Sequence, residues 1–269
     1  MKVTVTVITK NESAHIGAAL ASVAWADETI VVDSGSTDDT VAIARALATR
    51  VEVRAWPGYG AQKDYAAGLA SHDWILSLDA DERVTPALAG EIQALLEHDP
   101  PARGYRIPRT TYYLGRWIQS TDWYPDYQLR LYDRRAGRWT ARRVHESLEL
   151  QGTPGTLRHT LQHYAYSSIS HHLWTIDRYT TLAAEQWLAD GRRTSALEIA
   201  IQPPFAFLRN YLLRRGLTDG GPGLLVSMLN SYYVFLKFAK LWELQQARGG
   251  GVGASEAPRP AVPAGKPSP

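Results

Sequence analysis

The chain has 269 residues, 45% of them hydrophobic, and its 29 lysines and arginines against 27 acidic residues give a formal charge of +2. This composition excludes a chain that is disordered throughout and is enough for one large or two small domains with a substantial core. The absence of cysteine excludes disulfides and thiolate metal sites and fits a reducing compartment. Residues 1–7 alternate like a strand and lack the features of a signal peptide, so we expect a cytoplasmic protein.

The first hundred residues alternate between strand and helix patterns, which is typical of a parallel α/β sheet. In chain order, the predicted elements are a strand at 3–8, a helical face at 16–23, a strand at 28–33, a helix at 41–48, a strand at 51–55, a helix at 61–70 and a strand at 74–78. Thr85-Pro86 has the form of an N-cap followed by proline at the first helical position, and so predicts one more helix.

Polar clusters follow three of these strands, at residues 9–12, 33–36 and 79–81. Because right-handed crossovers bring the ends of parallel strands to one edge, we expect the three clusters to share a crevice. Asp79 and Asp81 place two carboxylates on one short turn, a spacing that suits a Mg or Mn ion bridging to substrate phosphates. Helix capping is the alternative, but both residues lie four to six positions before Thr85. Glu82 is interpreted as a bystander.

Residues beyond 100 are rich in aromatic and basic side chains, with strands predicted at 105–113, 127–132 and 145–150. Ten arginines lie between positions 103 and 143. Arginine suits bidentate contact with phosphate, so this segment predicts an anionic substrate or a membrane surface. Nucleic acid is not expected, because no known module for binding it is present. A solvated basic face is the alternative.

Helical spacing returns at 168–189, Pro203-Pro204 is predicted to break the chain, and a further helix is predicted at 224–244. No segment reaches the roughly 18 apolar residues that spanning a bilayer requires. Arg209, Arg214 and Arg215 lie beside apolar and aromatic residues, which favours peripheral binding to an anionic leaflet. Packing of both helices on the catalytic domain is the alternative. The Gly, Ala and Pro-rich residues 248–269 are predicted to be disordered.

Four motifs then carry a resemblance. They are VITKNE at 7–12, IVVDSGSTD at 30–38, AQKD at 61–64 and LDADE at 78–82. In this order they resemble the family 2 glycosyltransferases of the GT-A fold. The motifs at 105–109, 123–131, 144–147 and 233–237 look like one subfamily, the lipopolysaccharide core biosynthesis glycosyltransferases described as β-1,4-glucosyltransferase-like. Ser34 departs from the family pattern, which usually has a second Asp there.

The resemblance implies an α/β, GT-A-like, mostly parallel sheet flanked by helices, with a helical C-terminal extension. We expect a catalytic domain at 1–165, with a nucleotide-sugar half at 1–100 and an acceptor half at 101–165. The extension would cover 166–247 and the tail 248–269. The implied reaction is an inverting transfer of a hexose, glucose from UDP-glucose, to a lipopolysaccharide core sugar or other anionic glycolipid on the cytoplasmic face of the inner membrane.

The resemblance also assigns roles to residues. The nucleoside would contact Thr9, Asn11, Glu12 and Asp33, the donor phosphates would face Lys63, and Arg130 would pair with Asp126 or with phosphate. Asp81 would bind the metal directly, Asp79 would contact ribose or reach the metal through water, and His145 would be a further metal or phosphate contact. Three alternatives stay open: turn chemistry for Asp33, a solvated surface position for Lys63 and a structural role for His145. Asp38 and Asp39 are expected to stabilise a helix N-terminus.

An inverting transfer needs a base that takes the proton from the attacking hydroxyl. Asp126 follows Pro125 at the position where related enzymes carry an acidic residue, and it is the predicted base. Asp122 and Glu146 are the alternatives. Rival functions are transfer to a polyprenyl phosphate and a non-catalytic nucleotide-binding or membrane scaffold. A sugar-nucleotide pyrophosphorylase is disfavoured, because its Gly-rich N-terminal loop is absent.

Overall fold

The computed structural model of the protein describes residues 1–140 and 147–249. Its strands are β1 (Val3–Thr9), β2 (Glu28–Asp33), β3 (Arg50–Val53), β4 (Trp74–Asp79), β5 (Glu82–Val84), β6 (Gly104–Tyr113), β7 (Arg116–Ile118), β8 (Asp126–Asp133), β9 (Gly137–Trp139), β10 (Leu148–Leu150), β11 (Gly155–Thr156) and β12 (Leu161–His163). Its α-helices are α1 (Ile16–Ala21), α2 (Thr40–Leu47), α3 (Tyr59–Gly68), α4 (Pro86–Glu97), α5 (Ile169–Ala189), α6 (Ala196–Leu208) and α7 (Gly220–Gly249). The expected α/β class with a helical C-terminal region is confirmed.

The chain forms two compact units. Unit 1 contains Met1–Tyr112 and Tyr124–Ala165, and unit 2 contains Tyr113–Trp123 and the residues from Tyr166 onward. The core of unit 1 is built on strands β1, β2 and β4, whose side chains are almost all buried. Burial on both faces explains why these strands are nearly continuous apolar runs in the sequence.

The main sheet has the strand order β3-β2-β1-β4-β8-β6-β12-β5. Strand β1 pairs in parallel with both β2 and β4, whereas β8 is antiparallel to β4 and to β6. At the carboxyl end of β1, Thr9 pairs with Asp33 and Ile8 pairs with Asp79. The register therefore brings the three predicted polar clusters to one edge, which confirms that expectation.

Helix starts and stops were predicted with mixed success. Thr85 is the N-cap of α4, where its side chain accepts a hydrogen bond from the backbone N–H of Leu88 (3.2 Å) and Pro86 is the first helical residue, as expected. The α7 helix begins at Gly220, earlier than the expected 224. Strand β10 covers only part of the expected 145–150 segment, since 145 and 146 lie outside the described residues.

The predicted break at Pro203-Pro204 is wrong, because both prolines lie inside α6. Each proline removes a backbone donor that would otherwise bond the carbonyl four residues earlier. Tertiary packing compensates for this loss, since Pro203 is buried and its carbonyl accepts a hydrogen bond from Ser231 Oγ on α7 (2.7 Å). Local propensity is a weak guide where such packing is available.

Unit 2 is built from α5, α6 and α7, together with a cluster of aromatic rings. His172 stacks on Tyr166 with ring centroids 4.1 Å apart, and its Nδ1 lies 3.0 Å from the hydroxyl of Tyr113. Trp123 also stacks on Tyr166, at 5.5 Å. The helices are thus anchored on a buried aromatic core, and within the described residues none is long and apolar enough to cross a bilayer.

Candidate active site

The acidic end of β4 holds an ion cluster in which Lys63 and Arg130 are buried and Asp79 is partly exposed. Asp79 Oδ1 lies 3.0 Å from Lys63 Nζ, and its Oδ2 accepts a hydrogen bond from Arg130 Nη2 at 2.5 Å. Burial alone would raise the pKa of Asp79, but the charges of Arg130 and Lys63 outweigh it and hold that pKa well below its ordinary value. Asp79 is therefore ionised. Lys63 is buried on α3, which excludes the solvated position considered for it.

Glu82 is not a bystander, and that interpretation was wrong. Its side chain is fully buried, and Oε1 accepts hydrogen bonds from Arg130 Nη2 (2.6 Å) and Arg109 Nη1 (2.9 Å). Its other oxygen accepts from the backbone N–H of Asp79 at 3.0 Å. One carboxylate therefore pairs with two arginines from different strands, the buried Arg130 and the partly buried Arg109.

Asp126 begins β8, directly opposite Arg109 on the antiparallel strand β6. Arg109 donates from Nε (2.9 Å) and Nη2 (2.6 Å) to Asp126 Oδ2, while Gln128 donates to Oδ1 (2.6 Å). The expected pairing of Asp126 with Arg130 is absent, since Arg130 pairs with Asp79 and Glu82. Four residues along a strand span about 13 Å, which is too far for that pair.

These ion pairs form a row of alternating charges. We call it the charge row, and in spatial order its members are Lys63, Asp79, Arg130, Glu82, Arg109 and Asp126. It links the predicted donor-binding end of the sheet with the predicted base. Buried charges are tolerated when each is paired in this way.

Of the two alternatives for the base, the structure describes only Asp122. Asp122 belongs to unit 2, where its carboxylate accepts hydrogen bonds from Arg209, Asn210 Nδ2 (3.0 Å) and Asn230 Nδ2 (3.1 Å). Burial raises the pKa of Asp122, but the hydrogen bonds from Asn210 and Arg209 and the charge of Arg209 lower it overall. Glu146, the other alternative, and His145, the predicted metal contact, lie outside the described residues, as do Arg142 and Arg143.

The predicted nucleoside contacts meet at the ends of β1 and β2. Asp33 is fully buried, and its Oδ1 accepts from the backbone N–H groups of Gly35 and Ser36, both at 2.8 Å. Asn11 Oδ1 accepts from the N–H of Thr37 at 2.9 Å. The turn chemistry considered for Asp33 is therefore present. It positions the loop and leaves the proposed nucleoside contact of Asp33 as a prediction.

Two polar atoms beside this loop are buried without a hydrogen-bond partner among the described residues. They are Thr9 Oγ1 and Gln62 Oε1. The amide nitrogen of Gln62 bonds Ser34 Oγ at 3.2 Å, and the nearby Glu12 is also buried. Buried polar atoms normally have partners, so these two atoms are available to a ligand. Gln62 lies in the AQKD motif at 61–64, but the resemblance assigned it no role.

The expected role of Asp38 at the start of α2 fits the structure. Its carboxylate accepts from Thr40 N (3.1 Å), Thr40 Oγ1 (2.5 Å) and Ser13 N (3.1 Å). Burial raises the pKa of Asp38, but these hydrogen bonds outweigh it and lower the pKa to about 2. Asp39 occupies the N-cap position without a capping side-chain hydrogen bond.

Asp81 faces a histidine that the motifs did not indicate. His163 Nε2, at the end of β12, lies 3.7 Å from Asp81 Oδ2, and His163 Nδ1 lies 3.3 Å from Thr111 Oγ1. Strand β12 pairs with β5, a contact between segments about 80 residues apart that local patterns do not encode. Across residues 1–140 and 147–249, no group of three His, Asp or Glu side chains could hold a metal by itself. Asp81 supplies a carboxylate of the kind that holds Mg or Mn, with waters and substrate phosphates at other positions, and the imidazole of His163 is the softer donor beside it.

A parallel sheet with acidic, lysine-backed strand ends at one edge is typical of enzymes that bind phosphorylated ligands. The profile described as "Glycosyl transferase family 2" matches residues 4–147, more than half of the chain. The chain therefore belongs to glycosyltransferase family 2, and the GT-A-like fold expected from the sequence is confirmed.

Relatives extend the match over most of the chain. A lipopolysaccharide core biosynthesis glycosyltransferase, LpsC of Rhizobium meliloti, is 31% identical over 245 residues, which cover 88% of this chain and 90% of LpsC. An uncharacterized glycosyltransferase of Rickettsia felis is 31% identical over 254 residues, with 90% of each chain covered. The resemblance to the lipopolysaccharide core glycosyltransferases is confirmed.

Similarity to solved structures is more limited. Glucosyl-3-phosphoglycerate synthase from Mycobacterium tuberculosis, solved in complex with Mn2+, UDP and glucosyl-3-phosphoglycerate, is 26% identical, covers 42% of this chain and 44% of its own, and gives a TM-score of 0.35. TarS 1–349 of S. aureus is 15% identical, covers 93% and 92%, and gives a TM-score of 0.45.

Proposed function

We propose that the protein is an inverting hexosyltransferase that moves glucose from UDP-glucose to a sugar of the lipopolysaccharide core. Membership of family 2 supports a transferase, and the likeness to LpsC supports this acceptor class. The observation that carries the proposal is the Lys63–Asp79–Arg130 cluster beside Asp81 at the strand ends. It places fixed charges where a nucleotide diphosphate binds in such sheets.

The chemistry assigns a role to each part of the site. Asp126 takes the proton from the acceptor hydroxyl, whose oxygen attacks the anomeric carbon as the bond to the UDP oxygen breaks. Lys63 and Arg130 stabilise the negative charge that develops on the departing diphosphate. Asp81 and His163 would hold a Mg or Mn ion, which supplies Lewis-acid stabilisation of the same leaving group. The hydroxyl proton ends on Asp126 and the electron pair of the broken bond on UDP.

Release of UDP from UDP-glucose, with and without lipopolysaccharide core oligosaccharide, tests this proposal. We expect metal-dependent release that requires the acceptor, and near-complete loss in Asp81→Ala. Glu97→Ala removes an exposed carboxylate on α4 and is the matched control. Full activity of Asp81→Ala in chelator-treated buffer would contradict the metal role. Faster release with a polyprenyl phosphate would favour the rival acceptor, and no release with any acceptor would favour a non-catalytic scaffold.

The metal ligands are tested by comparing two histidines. If His163 contacts the ion, His163→Ala should weaken Mn2+ binding in the presence of UDP by about tenfold or more, a size typical of groups that support a metal site. His145→Ala tests the ligand expected from the sequence in the same titration. Loss of affinity in His145→Ala alone would assign the site to His145 and remove His163 from it.

We further propose that the protein acts while docked on the anionic face of the inner membrane, because its proposed acceptor is a glycolipid. Helix α6 and the π-helical turn that follows it, Arg209–Leu213, carry exposed apolar side chains at spacings of three and four residues. We call this set the α6 stripe, and it consists of Leu197, Ile201, Phe205, Leu208 and Leu212, each at least 50% exposed. A helix that points one apolar face outward is typical of interfacial binding.

Charge beside the stripe favours a lipid surface over a neutral partner. Arg214 and Arg215 are exposed directly after Leu212 and Leu213, the latter 78% exposed. Helix α7 also carries exposed aromatic side chains, among them Trp242 at 43%. Aromatic rings and arginines together are enriched at membrane interfaces. The described part of unit 2 therefore presents the chemistry of a peripheral membrane surface.

Sedimentation with vesicles tests this surface. We expect wild type to bind vesicles containing phosphatidylglycerol, and Ile201→Asp with Phe205→Asp to lose that binding. Leu182→Asp, at an exposed apolar position on α5 outside the stripe, is the control. Arg214→Gln with Arg215→Gln should weaken binding by roughly fivefold per arginine. Equal binding of the double aspartate variant would contradict the proposal, and self-association lost in that variant would assign the stripe to a second copy of the chain.

A further inference from the structure

The base Asp126 does not stand alone, because one of its oxygens is fully committed to a neighbouring cation. Arg109 gives two hydrogen bonds to Oδ2, which form a fork on a single oxygen. Among the described residues, Oδ1 accepts one hydrogen bond, from the amide of Gln128 at 2.6 Å. A carboxylate held at one oxygen presents the other in a defined direction, and defined direction is what a general base requires.

Arg109 is itself held in place from behind. Its remaining terminal nitrogen, Nη1, donates to the fully buried Glu82. The guanidinium is planar and rigid, so contacts on two sides fix its plane. Burial opposes the charge of Arg109, yet Glu82 and Asp126 raise its pKa above the ordinary value, and it stays charged.

We infer that Arg109 is the positioning residue of the catalytic base and that Glu82 is the anchor of Arg109. This inference rests on the proposed function for the role of Asp126, but not for the contacts between the three residues. Glu82 also binds Arg130, which holds Asp79 at the donor side. A single carboxylate therefore sets the geometry of both halves of the reaction.

A double-mutant cycle on the full chain tests the inference. We expect Arg109→Gln to lower kcat for transfer by about tenfold or more, with the KM for UDP-glucose within about twofold of wild type, because geometry at the base changes and donor binding does not. If Arg109 acts through Asp126, adding Arg109→Gln to Asp126→Asn should cause no further loss. Arg109→Lys keeps the charge without the fork and should recover part of kcat. Arg106→Gln, at an exposed arginine on the same strand, is the control.

Two outcomes would overturn the inference: a wild-type kcat in Arg109→Gln, or losses that multiply fully in the double variant. A purely structural role of Arg109 predicts the second outcome, together with a lower unfolding midpoint that Arg109→Lys does not restore. If wild type shows no transfer at all, the proposed function fails, and the carboxyl carbon shift of Asp126, which should differ between wild type and Arg109→Gln, still tests the contact between the two residues. An unchanged carboxyl carbon shift in Arg109→Gln would refute the contact.

Discussion

In unit 1, buried charges are arranged one after another, so that each carboxylate of the charge row lies between two cations or beside one. In unit 2, Asp122 is surrounded by arginine and amide donors, and His172 is enclosed by aromatic rings. The first arrangement keeps its groups charged and side by side in a row, whereas the second holds separate groups in place. The first arrangement suits the proposed active site, and the second suits a scaffold that holds helices together.

The sharpest test of this comparison replaces the two aspartates that lie four positions apart. Asp126→Asn should lower kcat by about 10²–10⁴-fold, since it removes a general base. Asp122→Asn should leave kcat within about twofold and lower the unfolding midpoint, because its carboxylate binds Arg209, Asn210 and Asn230. Steady-state transfer assays and thermal unfolding of both variants check this. A large kcat loss in Asp122→Asn with normal turnover in Asp126→Asn would reverse the assignment.

The charge row should also dominate stability. Glu82→Gln leaves two arginines without their shared carboxylate, and breaking a buried pair in this way costs about 3–5 kcal/mol of unfolding free energy. Urea denaturation of the variant measures the loss. Glu97→Gln, at an exposed position on α4, should change stability by less than about 0.5 kcal/mol. A loss of similar size in both variants would show that the row contributes nothing specific.

The smallest of the three effects concerns His172 in unit 2. Burial, aided by the charge of His171, lowers the pKa of His172 from its ordinary 6.5 to about 4. The unfolded chain therefore takes up a proton near pH 6.5, while the folded chain does so only near pH 4. Stability should fall by about 3 kcal/mol as pH drops through this window, and level off below it.

Denaturant unfolding between pH 7 and 4 measures this slope. His172→Gln should flatten it in the same window, since it removes the titrating group while keeping a polar side chain beside Tyr113. His98→Gln, at an exposed position, should leave the slope as in wild type. A slope that persists in His172→Gln would assign the acid sensitivity to other groups.

The sequence predicted the fold correctly where the local residue pattern and the burial of the element indicate the same structure. The strands that end at Thr9, Asp33 and Asp79 are apolar runs followed by polar residues, and their register matches the expected common edge. The predicted chain break at Pro203-Pro204 is wrong, because packing of α6 against α7 overrides the helix-breaking tendency of proline. Local signals predict elements well only where tertiary contacts do not oppose them.

The sequence motifs predicted several residues of the candidate site, but not the contacts between residues that are distant along the chain. Asp79 and Lys63 were selected from short segments, and the structure brings them together. The ion pairs of Glu82 could not be predicted, because its partners Arg109 and Arg130 lie 27 and 48 residues further along the chain. His163 escaped notice for the same reason, since it reaches Asp81 only through strand pairing. The spacing of a motif indicates which side chains a short loop carries. It does not indicate which distant strands that loop contacts.

The charge row has a consequence for how the metal ion and the nucleotide bind. Its three cations and three carboxylates sum to zero, so the row as a whole carries no net charge. Asp81 contributes a single negative charge, which a divalent ion exceeds by one. The remaining positive charge of the ion requires a diphosphate to balance it, so we expect the metal and the nucleotide to bind as one complex. Titration of Mn2+ at rising UDP concentration should show the apparent metal affinity climbing with the nucleotide, while metal alone binds weakly.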